Sequence, residues 1–165
     1  MLGIVISGFS GVGKTTLGKK YKNVIDLDSA EYVYDDSELQ HLDIEARKGM
    51  DRKANPDWPE NYINKIKEVK NNYDFILVWD RLDCLEEYFK NGIEYWLCYP
   101  EENSLEIYKK RYINRGNSQQ YVEKKIKQYY QNINTFESLN VKKIILKGNE
   151  TLEDYLVKNN FRLIK

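Results

Sequence analysis

Eight consecutive residues hold the densest chemical signal in the chain: Gly8-Phe9-Ser10-Gly11-Val12-Gly13-Lys14-Thr15. They satisfy the pattern Gly-x-x-x-x-Gly-Lys-Thr/Ser. Its glycines let the backbone wrap with N–H groups pointing inward around a row of phosphates. Lys14 is spaced to reach the β- and γ-phosphates of a nucleoside triphosphate, and the Thr15 hydroxyl to ligate the Mg²⁺ that bridges them. Gly8, Ser10, Gly11, Val12, Gly13, Lys14, Thr15 and Thr16 are the expected nucleotide-binding residues, with ATP and Mg²⁺ the expected ligands.

Three further groups carry charge at useful spacings. Asp26 and Asp28 are two apart at the end of a short apolar run, so in an extended segment both carboxylates share one face. Asp80 closes the apolar run Phe75-Ile76-Leu77-Val78-Trp79, where a carboxylate orients Mg²⁺ through its water shell. Arg111 and Arg115 lie four apart on an expected helix, which puts both guanidinium groups on one side about 6 Å apart, a phosphate-sized fork. The same two arginines would also complement their own helix dipole before Gly116.

The elements that must position these groups alternate along the whole chain. Residues 2–7 read as a buried parallel strand running straight into the glycine loop, and a helix follows from Lys14. A second strand is expected over 23–27, with Ser29 as a helix N-cap after it. Residues 30–58 read as polar and irregular, closing on Asn-Pro-Asp-Trp-Pro at 55–59, after which Tyr62, Ile63, Ile66 and Val69 mark a helix. A third strand is expected over 73–79, then a helix striped by Leu82, Leu85 and Phe89 and stopped at Asn91-Gly92. A fourth strand spans 93–99. Leu105, Tyr108 and Tyr112 mark a helix ending at Gly116, and Val122, Ile126, Tyr129 and Ile133 a longer one. A fifth strand over 141–146 precedes a last helix around 152–156. Sustained alternation of this kind argues for a parallel sheet with helices on both faces, in one domain over 1–165.

Composition bounds the partners. Twenty-six Lys and Arg balance 26 Asp and Glu, so no excess positive field draws the chain to a nucleic-acid backbone. Cys84 and Cys98 have neither metal-ligand nor disulfide-framework spacing. No apolar stretch approaches the roughly 20 residues of a membrane helix, and Met1 to Ser7 does not read as a signal peptide. The expectation is a cytoplasmic protein, monomer or homodimer, with a small-molecule partner.

With these residues in view, the chain resembles the P-loop kinase family that includes nucleoside monophosphate kinases, thymidylate kinase and shikimate kinase. The motifs lie at 8–16, 26–28, 80–81 and 111–116. The resemblance implies an α/β three-layer sandwich with a five-stranded parallel sheet of order 2-3-1-4-5, an acceptor-binding segment over 30–72 and a lid-like segment over 109–120. Asp26-Leu27-Asp28 is similar to the Asp-x-Asp of shikimate- and gluconate-type kinases. This implies that Asp26 serves Mg²⁺ or takes the acceptor proton, and that Asp28 holds the acceptor. Asp80-Arg81 is similar to the Asp-Arg of thymidylate kinase, where the arginine holds the acceptor's phosphate, although Leu82 stands where that kinase has an aromatic residue. Arg111 and Arg115 resemble lid arginines that clamp the transferring phosphoryl group. Arg47 or Arg52, with Trp58 or Tyr62, would serve a nucleotide acceptor; His41 is also available. Lys147-Gly148-Asn149 falls where these kinases approach the adenine.

The expected function is therefore phosphoryl transfer from ATP to a small acceptor, a nucleoside or deoxynucleoside monophosphate favoured and a shikimate- or gluconate-like alcohol second. A GTP-dependent switch is disfavoured because no Asn-Lys-x-Asp is present. An ATPase within a larger assembly, or a kinase of nucleic-acid ends, is a further alternative.

Overall fold

The computed structural model describes residues 2–47 and 50–165. The β-branched, apolar run Ile4–Gly8 forms β1, and the glycine loop after it leads into α1 (Lys14–Lys20) and a short β2 (Val24–Asp26). The segment read as irregular holds small elements instead. These are α2 (Ala30–Val33), β3 (Tyr34–Asp35), α3 (Ile44–Arg47) and β4 (Lys53–Ala54), with β3 and β4 paired as an antiparallel ribbon. Ser29 does sit at the N-cap of α2, but its side chain makes no capping bond. The Asp28 Oδ1 accepts from the Ala30 N–H at 3.0 Å in its place, which uses Asp28 to start the helix.

Beyond the ribbon the expected elements follow: α4 (Glu60–Val69), β5 (Phe75–Val78), α5 (Leu82–Lys90), β6 (Tyr95–Pro100), α6 (Leu105–Asn114), α7 (Gln119–Ser138), β7 (Lys142–Leu146) and α8 (Leu152–Lys158). One stripe is corrected. On α5 the buried residues are Cys84, Leu85 and Tyr88, while Leu82 and Phe89 are 43% and 83% exposed. The phenol of Tyr88 has a partner inside, the Trp79 carbonyl at 3.0 Å, and so the helix turns Tyr88 rather than Phe89 to the core.

Five strands form an all-parallel sheet in the order β2-β5-β1-β6-β7. The numbering differs in detail from the expected 2-3-1-4-5, because the unexpected β3–β4 ribbon adds two strands outside the sheet; the five sheet strands counted among themselves run in that order. Every residue of β5, and all but one of β1 and of β6, is buried. Since successive side chains point to opposite faces, both faces are covered. β7 alternates buried Ile144 and Leu146 with exposed Lys142 and Ile145, the pattern of an edge. The carboxyl ends of β1, β2 and β5 meet at one rim, where open parallel sheets bind ligands.

Candidate active site

The glycine loop is held from behind. Its three consecutive carbonyls accept hydrogen bonds from donors that do not line the cavity in front of it. The Tyr112 hydroxyl donates to Ser10 O at 2.9 Å, Arg111 Nη1 to Gly11 O at 2.9 Å, and the Leu152 N–H to Val12 O at 3.0 Å. Turning the carbonyls outward is what lets the N–H groups of such a loop face inward. Phe9, a free position in the motif, is the anchor. Its N–H donates to Cys98 O on β6 at 2.8 Å, and its buried ring packs edge-on against Tyr108, Tyr129 and Phe136 at 5.8–6.2 Å. Gly11 and Gly13 adopt φ of +96° and +104°, a region side chains avoid. A Cβ on Gly11 would also come within 3.0 Å of the Tyr108 ring.

In front of the loop lies a cavity of 1060 Å³. Ser10, Gly11, Lys14 and Thr15 form its floor, and Asp26, Asp28, Asp80, Arg81 and Arg115 line it as well. Of the remaining expected loop residues, Gly8 and Val12 are buried and Thr16 is exposed; none of the three lines the cavity, and neither does Gly13. Lys14 Nζ donates to the carbonyls of Gly8 and Phe9. The Thr15 hydroxyl donates to Asp26 Oδ2 at 2.8 Å, joining the first turn of α1 to the end of β2. Gly18, one turn further along α1, permits this approach, because a Cβ there would stand 2.9 Å from that of Asp26.

Both inner carboxylates are raised above the usual range. Burial is the main cause for Asp26, opposed by Lys14, by the Thr15 bond and by Arg115, while neighbouring Asp28 adds to the rise. Burial also lifts Asp80, opposed by Lys14 and then by Lys125. Asp80 is placed by its neighbour's backbone: Trp79 O accepts from Ser7 Oγ at 2.9 Å and from the Tyr88 hydroxyl at 3.0 Å, and the Trp79 N–H donates to the Tyr62 hydroxyl at 3.1 Å. Asp28 is exposed at the rim.

The oxygen donors fit Mg²⁺, which takes hard oxygen ligands and keeps most of its shell for water and phosphate. Thr15, Asp26 and Asp80 are the residues able to hold it. Among the described residues no cluster of three or more His, Cys, Asp or Glu side chains is close enough to hold a metal ion by itself.

The basic residues divide. Arg115 lines the cavity and is near enough to stabilise the Asp26 carboxylate. Arg111 does not line it. Its guanidinium lies against the Tyr108 ring at 4.7 Å and also donates to Asn149 O at 2.7 Å, tying the loop after β7 to the glycine loop. The two arginines of the expected fork are thus put to separate uses, because Arg111 sits on the half-buried side of α6 and Arg115 beyond its exposed end. Arg81 lines the cavity, paired with Asp83 and with its guanidinium over the Trp79 ring at 4.9 Å.

Arg47 and Arg52 stand elsewhere, in a second cavity of 380 Å³ beside the β3–β4 ribbon. Arg52 Nε donates to Asp36 Oδ1 at 2.7 Å and Arg47 Nε to Leu42 O at 3.0 Å. The Arg52 pair holds the Asp36 carboxyl below its ordinary range, with Arg47 assisting. His41 lines neither cavity, and Tyr62 is buried under the rim. Lys48 and Gly49, within the 30–72 segment, lie outside the described residues.

One wall escaped the sequence reading. Tyr121, Lys124, Lys125, Gln128 and Asn132 of α7 line the main cavity. Positions 121, 125, 128 and 132 are half-buried and run at 4-3-4 spacing beside the core stripe of Val122, Tyr129, Ile133 and Phe136. That polar stripe, flanking an apolar one at the same period, was the available signal. Tyr121 shares a hydrogen bond of 3.2 Å with Ser10 Oγ, which joins this wall to the glycine loop.

No helix among the described residues is long and apolar enough to cross a membrane. No protein-family model matches the chain, and comparison with curated proteins returned no match.

Proposed function

We propose that the protein is an ATP- and Mg²⁺-dependent phosphotransferase with the fold of the P-loop NTPases, moving the γ-phosphoryl group of ATP to a small acceptor, a nucleoside or deoxynucleoside monophosphate being favoured. The observation that carries this reading is the convergence of Lys14, the Thr15–Asp26 bond and Asp80 on the floor of one cavity. Phosphoryl transfer needs little covalent chemistry from the protein, only positioning and positive charge around an in-line arrangement. Mg²⁺ supplies neutralisation of the β- and γ-oxygens when bound. Lys14 and Arg115 add fixed cations, while Asp26 and Asp80 orient the metal's ligand shell. At about 1060 Å³ the cavity lies at the upper end of the usual range for small-ligand sites, which suits a donor and an acceptor side by side. Buried free thiols at Cys84 and Cys98 suit a cytoplasmic protein.

Kinase action on an alcohol is the second reading, favoured by the exposed Asp28 at the rim, where a carboxylate could take a hydroxyl proton. The cations Arg81, Arg115, Lys124 and Lys125 along the cavity favour an acceptor that carries its own phosphate.

The deciding experiment is ADP release with Mg-ATP against the common ribo- and deoxyribonucleoside monophosphates, with shikimate and gluconate as alcohol controls. Rapid ADP release with one monophosphate is expected. Slow hydrolysis indifferent to every acceptor would count against transfer and in favour of an ATPase or a kinase of nucleic-acid ends.

A further inference from the structure

We propose that α7, rather than the 30–58 segment, carries the acceptor subsite, and that it is built for a phosphate monoester bearing a nitrogen heterocycle. The phosphate lies toward Lys125, and the heterocycle is read by Gln128 and Asn132. The inference rests on the phosphotransferase reading above and identifies which residues choose the acceptor.

Lys125, Gln128 and Asn132 line the main cavity and are half-buried, although α7 is otherwise a helix with solvated polar positions. A polar side chain drawn partly out of water must find partners. Lys125 Nζ lies 5.5 Å from the centroid of the Tyr121 ring, and Tyr121 is itself bonded to Ser10 of the glycine loop. This end of the stripe is therefore the phosphate end. From Lys125 to Asn132 the helix rises about 10 Å, room for a phosphate at one end and a ring system at the other. Carboxamides present a donor and an acceptor side by side, the pattern that pairs with the edge of a heterocyclic base. Arg47 and Arg52, the alternative acceptor cations, line the separate cavity and are bonded to Asp36 and Leu42 O.

The transfer balances without a further reactant. An already ionised oxygen of the acceptor phosphate forms a bond to the γ-phosphorus as the bond from that phosphorus to the β-bridging oxygen breaks. ADP leaves with the electron pair.

The test is calorimetric titration of AMP, GMP, CMP, UMP and dTMP into the protein saturated with Mg²⁺ and a non-hydrolysable ATP analogue. Wild type is expected to bind at least one. Gln128→Ala with Asn132→Ala should weaken that monophosphate by about tenfold or more without altering affinity for the analogue or the thermal midpoint. Lys125→Ala should weaken the monophosphate but not its parent nucleoside, and Lys125→Arg should restore part of the loss. Should the double variant destabilise the fold, Gln128→Glu provides the same comparison with one charge added at the surface of the cavity. Unchanged monophosphate binding in these variants, with loss in Arg47→Ala or Arg52→Ala, overturns the proposal. So does a wild type that binds the analogue and no monophosphate, an outcome that leaves the ATP reading standing. Failure to bind the analogue at all removes that reading and this one together.

Discussion

Arg111 and Gly11, 100 residues apart in the chain, meet in a hydrogen bond of 2.9 Å from the guanidinium to the glycine carbonyl. The bond fixes the direction of a carbonyl in the middle of the glycine loop. Arg111→Ala is expected to lower the thermal midpoint by several °C, since leaving these carbonyls unpaired costs about 1–3 kcal/mol and each kcal/mol shifts a domain of this size by roughly 2–4 °C. It should weaken ATP binding as well. Arg115→Ala should leave the midpoint near wild type and reduce turnover more than ATP affinity. Thermal melts and nucleotide titrations on both variants separate the roles. Equal effects of the two substitutions on every readout would restore the paired fork.

Lys14→Ala should reduce phosphoryl transfer by about a hundredfold or more, the scale of losing one preorganised charge at a reacting group. The fold should survive, because Lys14 is only half-buried and bonds only to its own loop. Single-turnover assays beside a circular-dichroism melt check both halves.

Gly11→Ala places a Cβ at φ +96° and within 3.0 Å of the Tyr108 ring. A left-handed conformation costs an ordinary residue about 1–2 kcal/mol, and the contact adds crowding. The expected result is a lower thermal midpoint with a displaced Tyr108. A midpoint equal to wild type would mean that the loop relaxes at no cost.

Asp80 is raised by burial, with Lys14 and Lys125 opposing. A carboxylate whose folded-state value lies above its unfolded one adds stability when protonated and loses it as pH rises from the unfolded value through the folded one. Asp80→Asn should therefore be more stable than wild type at pH 7, by about 2 °C if the gain is ~1 kcal/mol. The difference should close as pH falls below the ordinary aspartate range, while transfer is lost at neutral pH. Melts from pH 3.5 to 8 test the sign.

At the ribbon the sign reverses. Asp36 is held low by Arg52 and then Arg47, so its contribution is present above the unfolded value near 3.9 and lost as pH falls through the lower folded one. Arg52→Ala should reduce that acid sensitivity and loosen the β3–β4 ribbon, as followed by hydrogen exchange at 34–35 and 53–54, with Mg-ATP affinity unchanged.

The strand–helix alternation, the glycine loop and the acids at strand ends were legible in the chain because each is a local pattern: hydrophobic period, turn chemistry and motif spacing act over a few residues. Local pattern could not show that Phe89 faces water and Tyr88 the core, since both fit a helical stripe and only the Trp79 carbonyl inside decides. Nor could it show the β3–β4 ribbon, whose two-residue strands carry no periodic signal.

The sequence by itself determined a glycine loop of the Gly-x-x-x-x-Gly-Lys-Thr pattern between a buried strand and a helix, with Asp26 and Asp80 each closing a short apolar run. Tertiary structure alone decided how the cations divide. Arg115, Arg81 and the α7 stripe came to the cavity, Arg111 went behind the loop, and Arg47 and Arg52 went to Asp36. The reason is physical: an arginine's type and spacing state what it can bind, while its partner depends on which carbonyls and carboxylates distant segments bring within reach of its guanidinium.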